Sequence, residues 1–132
     1  MQNKKTLIAI VAIVVLIGGI SVFAATRPPH VLAAFAQCLG EKKVTFYGAF
    51  WCPHCQEQKK LFGRAAKDLP YIECSTPDGN GQKAECKEKG ITNYPTWDFA
   101  IGDRISTVLT PETLAEKTGC VLPEGYVTEE TK

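Results

Sequence analysis

Cys52 and Cys55, within FYGAFWCPHCQEQKKLF at positions 46–62, are separated by Pro53 and His54. Two thiols at this spacing can hold a metal, staple a turn or exchange disulfides. Structural zinc takes four ligands, usually as two close pairs. Cys74 and Cys86 are too far apart in sequence to form the usual second pair. Covalent haem attachment needs His directly after the second cysteine, where this chain has Gln56. A purely structural disulfide across two residues at a helix start is uncommon. Disulfide exchange asks for an accessible thiol that is readily ionised and a second thiol near enough to resolve the mixed disulfide.

The surrounding elements suit the third chemistry. Val44–Phe50 is a short apolar run rich in β-formers and predicts a buried strand. Pro53 fits the first turn of a helix, where its missing N–H costs nothing. Gln58, Leu61, Phe62, Ala65 and Leu69 recur at helical spacing, with Lys59, Lys60, Arg64 and Lys67 on the other face. Cys52 is thereby expected at the N-cap, facing unpaired N–H groups and the positive end of the helix dipole. Cys55 is expected one turn behind it and more buried. His54 either adds positive field at Cys52 or is a solvated surface residue. In the first case Pro-His favours the reduced pair, which suits an oxidant or isomerase better than a strong reductant.

The other elements read in order. His30–Leu39 predicts a helix with Val31, Leu32, Phe35 and Leu39 on one side, ended by Gly40. Tyr71–Cys74 is a second strand, Ser75–Gly81 a loop, and Gln82–Lys89 a short helix ended by Gly90. Thr96–Ile101 and Arg104–Val108 read as a hairpin with a type II′ turn at Gly102-Asp103. Thr110 caps a last helix that begins at Pro111 and stops at Gly119. Residues 121–132 read as a flexible polar tail. A mixed sheet covered by helices accounts for this order.

The first 26 residues stand apart. Lys4 and Lys5 precede an apolar run from Leu7 to Ala25, which reads either as a membrane anchor or as a cleaved signal segment. The length of the run favours the anchor. The positive-inside rule then puts the two lysines in the cytoplasm and the rest of the chain outside it. Arg27-Pro28-Pro29 is a stiff linker, and residues 30–120 form one domain. All six cysteines lie in the exported part, where disulfides are expected. The formal net charge is +1, with no basic stripe and no interleaved aromatics, so nucleic-acid binding has no support.

With these residues in view, FYGAFWCPHC followed by a helix and NYPTWDF resembles the thioredoxin fold over roughly residues 30–120. More closely, FYGAFWCPHCQEQKKLFG, YIEC, a later cysteine and GITNYPTWDF resemble the thioredoxin-like domain fused to bacterial homologues of vitamin K epoxide reductase, a domain type also found as a separate anchored protein. The resemblance implies an α/β thioredoxin fold, here with an N-terminal transmembrane helix. It implies no cofactor and no metal beyond the redox-active disulfide. It makes Cys52 the nucleophile and Cys55 the resolving thiol, with Pro53 and His54 between them and Pro95 as a cis-proline facing them. Trp51, Tyr94 and Thr96 would bind substrate, Tyr94 through its backbone. The implied partners are exported thiol proteins and a membrane vitamin K epoxide reductase homologue.

The same resemblance includes a structural Cys74–Cys86 disulfide. Cys38 and Cys120 fall at the end of a thioredoxin sheet away from the active site, and a bridge between them is expected; a second redox relay or an intermolecular link are the alternatives. Two departures stand out. Phe46 occupies the position six before the first cysteine where relatives often bury an acid, which leaves Glu57, Glu73 or water to take the proton of the resolving thiol. The segment around Val108-Leu109 lacks the glycine often found beside the cis-proline. The expected function is that of a membrane-anchored extracytoplasmic thiol–disulfide oxidoreductase. The rivals are an envelope reductant or isomerase, and a non-enzymatic binding module.

Overall fold

The computed structural model describes residues 31–100 and 102–126. The apolar run Leu7–Ala25 and the linker fall outside them, and among the described residues no helix is long and apolar enough to cross a membrane. The elements are α1 (Ala33–Glu41), β1 (Thr45–Gly48), α2 (Pro53–Phe62), a 3-10 segment (Gly63–Asp68), β2 (Tyr71–Glu73), α3 (Ala84–Glu88), β3 (Thr96–Asp98), β4 (Arg104–Ile105) and α4 (Pro111–Thr118).

The strands form one mixed sheet in the order β2-β1-β3-β4. β1 runs parallel to β2, with Phe46 opposite Tyr71, and antiparallel to β3, with Phe46 opposite Trp97. β4 pairs antiparallel with β3 at the edge. Successive residues of β1 point to opposite faces. Phe46 enters the larger core with Phe35 and Leu39 of α1, Phe62 of α2, Leu114 of α4 and Trp97. Tyr47 enters a smaller cluster with Cys74, Cys86 and Ile91 beneath α3. The sheet with helices over both faces is the thioredoxin-like arrangement.

Several boundaries differ from those expected. α1 does not stop at Gly40. It ends in a Schellman motif in which Val44 N–H reaches the Leu39 carbonyl at 3.0 Å and Lys43 N–H reaches that of Gly40 at 2.9 Å. Lys43, at φ 57°, supplies the left-handed residue. Val31 does not share the buried side of α1 and is 64% exposed. β1 covers only the middle of Val44–Phe50, since Phe50 is exposed. The apolar stripe from Gln58 to Leu69 spans a helix and a 3-10 segment, because Gly63 at φ 52° breaks the helix between them. The hairpin is closed by Phe99 N–H to the Asp103 carbonyl and Gly102 N–H to the Phe99 carbonyl, so the connection is wider than a two-residue turn. α4 follows expectation, with the Thr110 hydroxyl accepting from Thr113 N–H and Gly119 in the left-handed region.

The segment after α4 is not a loose tail over its described length. Leu122 and Tyr126 pack against the main core, while Val121 is exposed. Cys120 is bonded to Cys38, which holds this segment where those side chains can be covered. The rest of the expected tail, 127–132, lies outside the described residues.

Candidate active site: a buried thiol pair at a helix start

Cys52 is the N-cap of α2, with extended backbone at φ −75° and ψ 120°, and Pro53 follows at the first helical position. The Cys52 carbonyl accepts the first helical bond, from Gln56 N–H at 3.1 Å. The Gln56 side chain reaches back to the Phe50 carbonyl at 2.6 Å and fixes the chain before the helix. The two cysteines are free thiols, Cys52 6% exposed and Cys55 fully buried. The Cys52 sulfur lies 3.6 Å from the Tyr94 carbonyl oxygen, and the Tyr94–Pro95 peptide is cis. The structure therefore brings Cys52, Cys55, Tyr94 and Pro95 together, although Cys52 and Tyr94 are 42 positions apart in sequence.

Burial pushes the Cys55 thiol up to about 12, an effect reinforced by the neighbouring Cys52 and opposed by an Ala49 backbone N–H and the Lys59 charge. Gly48 is required here by space. A Cβ at this position would stand 2.8 Å from Tyr71 Cε2 and 2.9 Å from Cys55 Sγ. The packing of Cys55 thus depends on a residue without a side chain directly beneath it.

The remaining expected site residues divide. Trp51 is 53% exposed beside Cys52, and its indole N–H donates to Ser75 Oγ at 2.9 Å. Tyr94 meets it edge-on, and the Tyr94 hydroxyl accepts from Gln82. Thr96 is different, because its side chain is buried and its hydroxyl is engaged with the Asn93 carbonyl and Ser106. It supports the strand after Pro95 and offers no side chain to a bound molecule. His54 is exposed, and its Nδ1 faces Glu57 Oε2 at 3.4 Å on the solvent side.

Both peripheral bridges are formed, Cys38–Cys120 with Cα atoms 6.0 Å apart and Cys74–Cys86 with Cα atoms 5.7 Å apart. The Ser75–Gly81 loop between Cys74 and Cys86 is closed by a Ser75–Gln82 bridge and by bonds between Thr76 and Gly81. Among the described residues no cluster of His, Cys, Asp or Glu could hold a metal.

Gln58 is the residue whose role its spacing alone did not disclose. It is fully buried, its Oε1 accepts from Trp97 Nε1 at 3.1 Å and Leu109 N–H at 2.7 Å, and its Nε2 donates to the Leu109 carbonyl at 2.8 Å. The side chain pairs with Leu109 as a neighbouring strand would, and it holds the segment that lacks the expected glycine. An amide within an otherwise apolar helical stripe was the available signal.

A protein of Arabidopsis thaliana named thiol-disulfide oxidoreductase LTO1 is 43% identical to this chain over 103 residues, covering 74% of this chain and 27% of that protein. This chain is homologous to a thiol–disulfide oxidoreductase. Its described part has the mixed sheet and flanking helices of a thioredoxin-like fold. The chain spans 27% of the length of the relative it matches. No protein-family model matches the chain.

Proposed function

We propose that this chain is a thiol–disulfide oxidoreductase held at the outer side of the cytoplasmic membrane by its N-terminal apolar segment, that it oxidises exported proteins, and that a vitamin K epoxide reductase homologue reoxidises it. The observation that carries the chemistry is the placement of Cys52 at the start of α2, beside the cis-Pro95 peptide, with Cys55 buried behind it. The similarity to a named oxidoreductase supports the same chemistry. The lysine-flanked apolar run supports the location, and the close resemblance of the CPHC and NYP segments supports the partner.

In the oxidising direction a substrate thiolate attacks Cys52 of the Cys52–Cys55 disulfide. Cys55 leaves as a thiolate and takes up a proton. A second substrate thiolate attacks the substrate sulfur of the mixed disulfide and expels Cys52. The substrate loses two electrons, the pair gains them, and the membrane partner removes them. Exposed Phe50 and Trp51 give a bound peptide an apolar rest beside the reacting sulfur.

Replacing Cys55 by Ala removes the resolving thiol and traps substrates on Cys52. The expected capture is of exported thiol proteins and the membrane partner. Recovery of neither would count decisively against a shuttle. A potential between ~−200 and ~−120 mV fits a disulfide donor, and one near ~−270 mV fits a reductant.

A further inference from the structure

We propose that Glu73, acting through the Tyr71 hydroxyl, is the proton acceptor and donor for the Cys55 thiol, in place of the acid absent at position 46. The inference rests on the oxidoreductase reading and assigns a proton path within it. Phe46 fills the site where an acid would lie, stacked on Trp97 at 4.8 Å and edge-on to Tyr71 at 5.0 Å. Position 46 therefore offers no carboxylate to Cys55. Glu57, the other acid near the motif, is exposed and turned to His54.

The neighbouring strand supplies the alternative. Tyr71 pairs directly with Phe46 in the sheet and lies over Gly48. Its hydroxyl and the Cys55 sulfur both come within 3.4 Å of the point where a Gly48 Cβ would be. The same hydroxyl donates to Glu73 Oε2 at 2.7 Å. The other Glu73 oxygen accepts from Ser75 N–H at 2.8 Å and Phe50 N–H at 3.2 Å, so the carboxylate is fixed in place. Lys59 completes the group, with its ammonium 3.6 Å from the Tyr71 ring centre. The charged and titratable groups facing this path are Cys52 and Lys59 from α2 and Glu73 from β2. Burial raises the Tyr71 hydroxyl above its ordinary range, so it passes a proton on without remaining ionised.

In the resolving step the Cys55 proton moves to the Tyr71 oxygen, across a water molecule, as the Tyr71 proton moves to Glu73. Cys55 thiolate then attacks Cys52, the Cys52–Cys55 bond forms, and the substrate sulfur leaves as thiolate. Glu73 returns its proton to solvent. In the oxidising direction the same path runs backwards and delivers a proton to the departing Cys55.

The test uses the reduced full chain and a chromogenic aromatic disulfide. Attack by Cys52 releases one coloured thiolate, and resolution by Cys55 releases a second. In Tyr71→Phe and Glu73→Gln the first phase is expected to keep its wild-type rate. The second is expected to slow roughly ten- to hundredfold near neutral pH and to rise with each unit of pH where the wild type levels off. Tyr71→Phe keeps the ring and leaves both backbone bonds to Glu73 intact, so it carries the test if Glu73→Gln fails to fold. Wild-type rates and pH profiles for the second phase in Tyr71→Phe would overturn the path, as would equal slowing of both phases. A wild-type chain that releases neither thiolate would instead overturn the oxidoreductase reading.

Discussion

Gln58 shows what one buried side chain contributes. Changing it to Leu keeps the volume but strands three buried groups, the Trp97 indole N–H and the N–H and carbonyl of Leu109. Unmet buried polar groups cost roughly 1–3 kcal/mol each, so Gln58→Leu is expected to lower unfolding stability by about 3 kcal/mol or more in urea denaturation. Cys55 gives the residue-scale pH dependence. Its thiol is raised from 9.0 to about 12 in the folded dithiol form, chiefly by burial. The folded chain therefore keeps a proton that the unfolded chain loses. The associated stability is complete below pH 9.0 and disappears as pH rises to about 12. Denaturation of the reduced protein across this window is expected to show that loss, and reduced Cys55→Ala is expected to lack it. The thiol pair was legible from its spacing at an expected helix start, whereas Pro95 and Tyr94 came only through the resemblance of NYPTWDF to the thioredoxin fold. Thr96 misled because adjacency to Pro95 in sequence says nothing of which way its side chain turns. Tyr71 and Gly48 carry no local signal, since their importance arises from strand pairing.

Element ends obey rules that sequence shows well only when the residue is typical. Thr110, Pro111 and Gly119 are typical, and α4 begins and stops where they indicate. α1 ends on Lys43, a residue with no preference for the left-handed region, so Gly40 was the natural but mistaken end. A lysine at φ 57° costs about 1–2 kcal/mol against glycine in the folded state, partly offset by the greater freedom of unfolded glycine. Lys43→Gly is expected to raise the melting temperature, by about 1 kcal/mol of stability or less, without changing thiol reactivity. The strands were read as longer than they are because apolar residues continue past the hydrogen-bonded ladder. Val44 belongs to the helix-ending motif, and Phe50 to the turn that delivers Cys52. The order of elements was nonetheless legible from periodicity and turn residues, since each had to bury one face against the same sheet.

At the scale of the whole molecule, the two bridges act on different spans. Cys38–Cys120 joins residues 82 positions apart, and Cys74–Cys86 joins residues 12 apart. Loop-closure entropy assigns about 4–5 kcal/mol to the first and about 3 kcal/mol to the second. Removal of the first by paired Ala substitutions is expected to destabilise the domain more, measured by denaturation with the active-site thiols kept reduced in both variants. The Ala pair at Cys74 and Cys86 is expected to loosen the Ser75 loop and, with it, the support of the Trp51 indole. The covalent connectivity has a separate consequence. The described chain is a ring within a ring, and the site lies inside the outer one. A single peptide-bond cut between Ser75 and Gly81 opens neither the path from Cys38 to Cys120 nor the link between Cys74 and Cys86. Such a nicked molecule is expected to migrate as one species on a gel until reductant is added, and as two fragments afterwards.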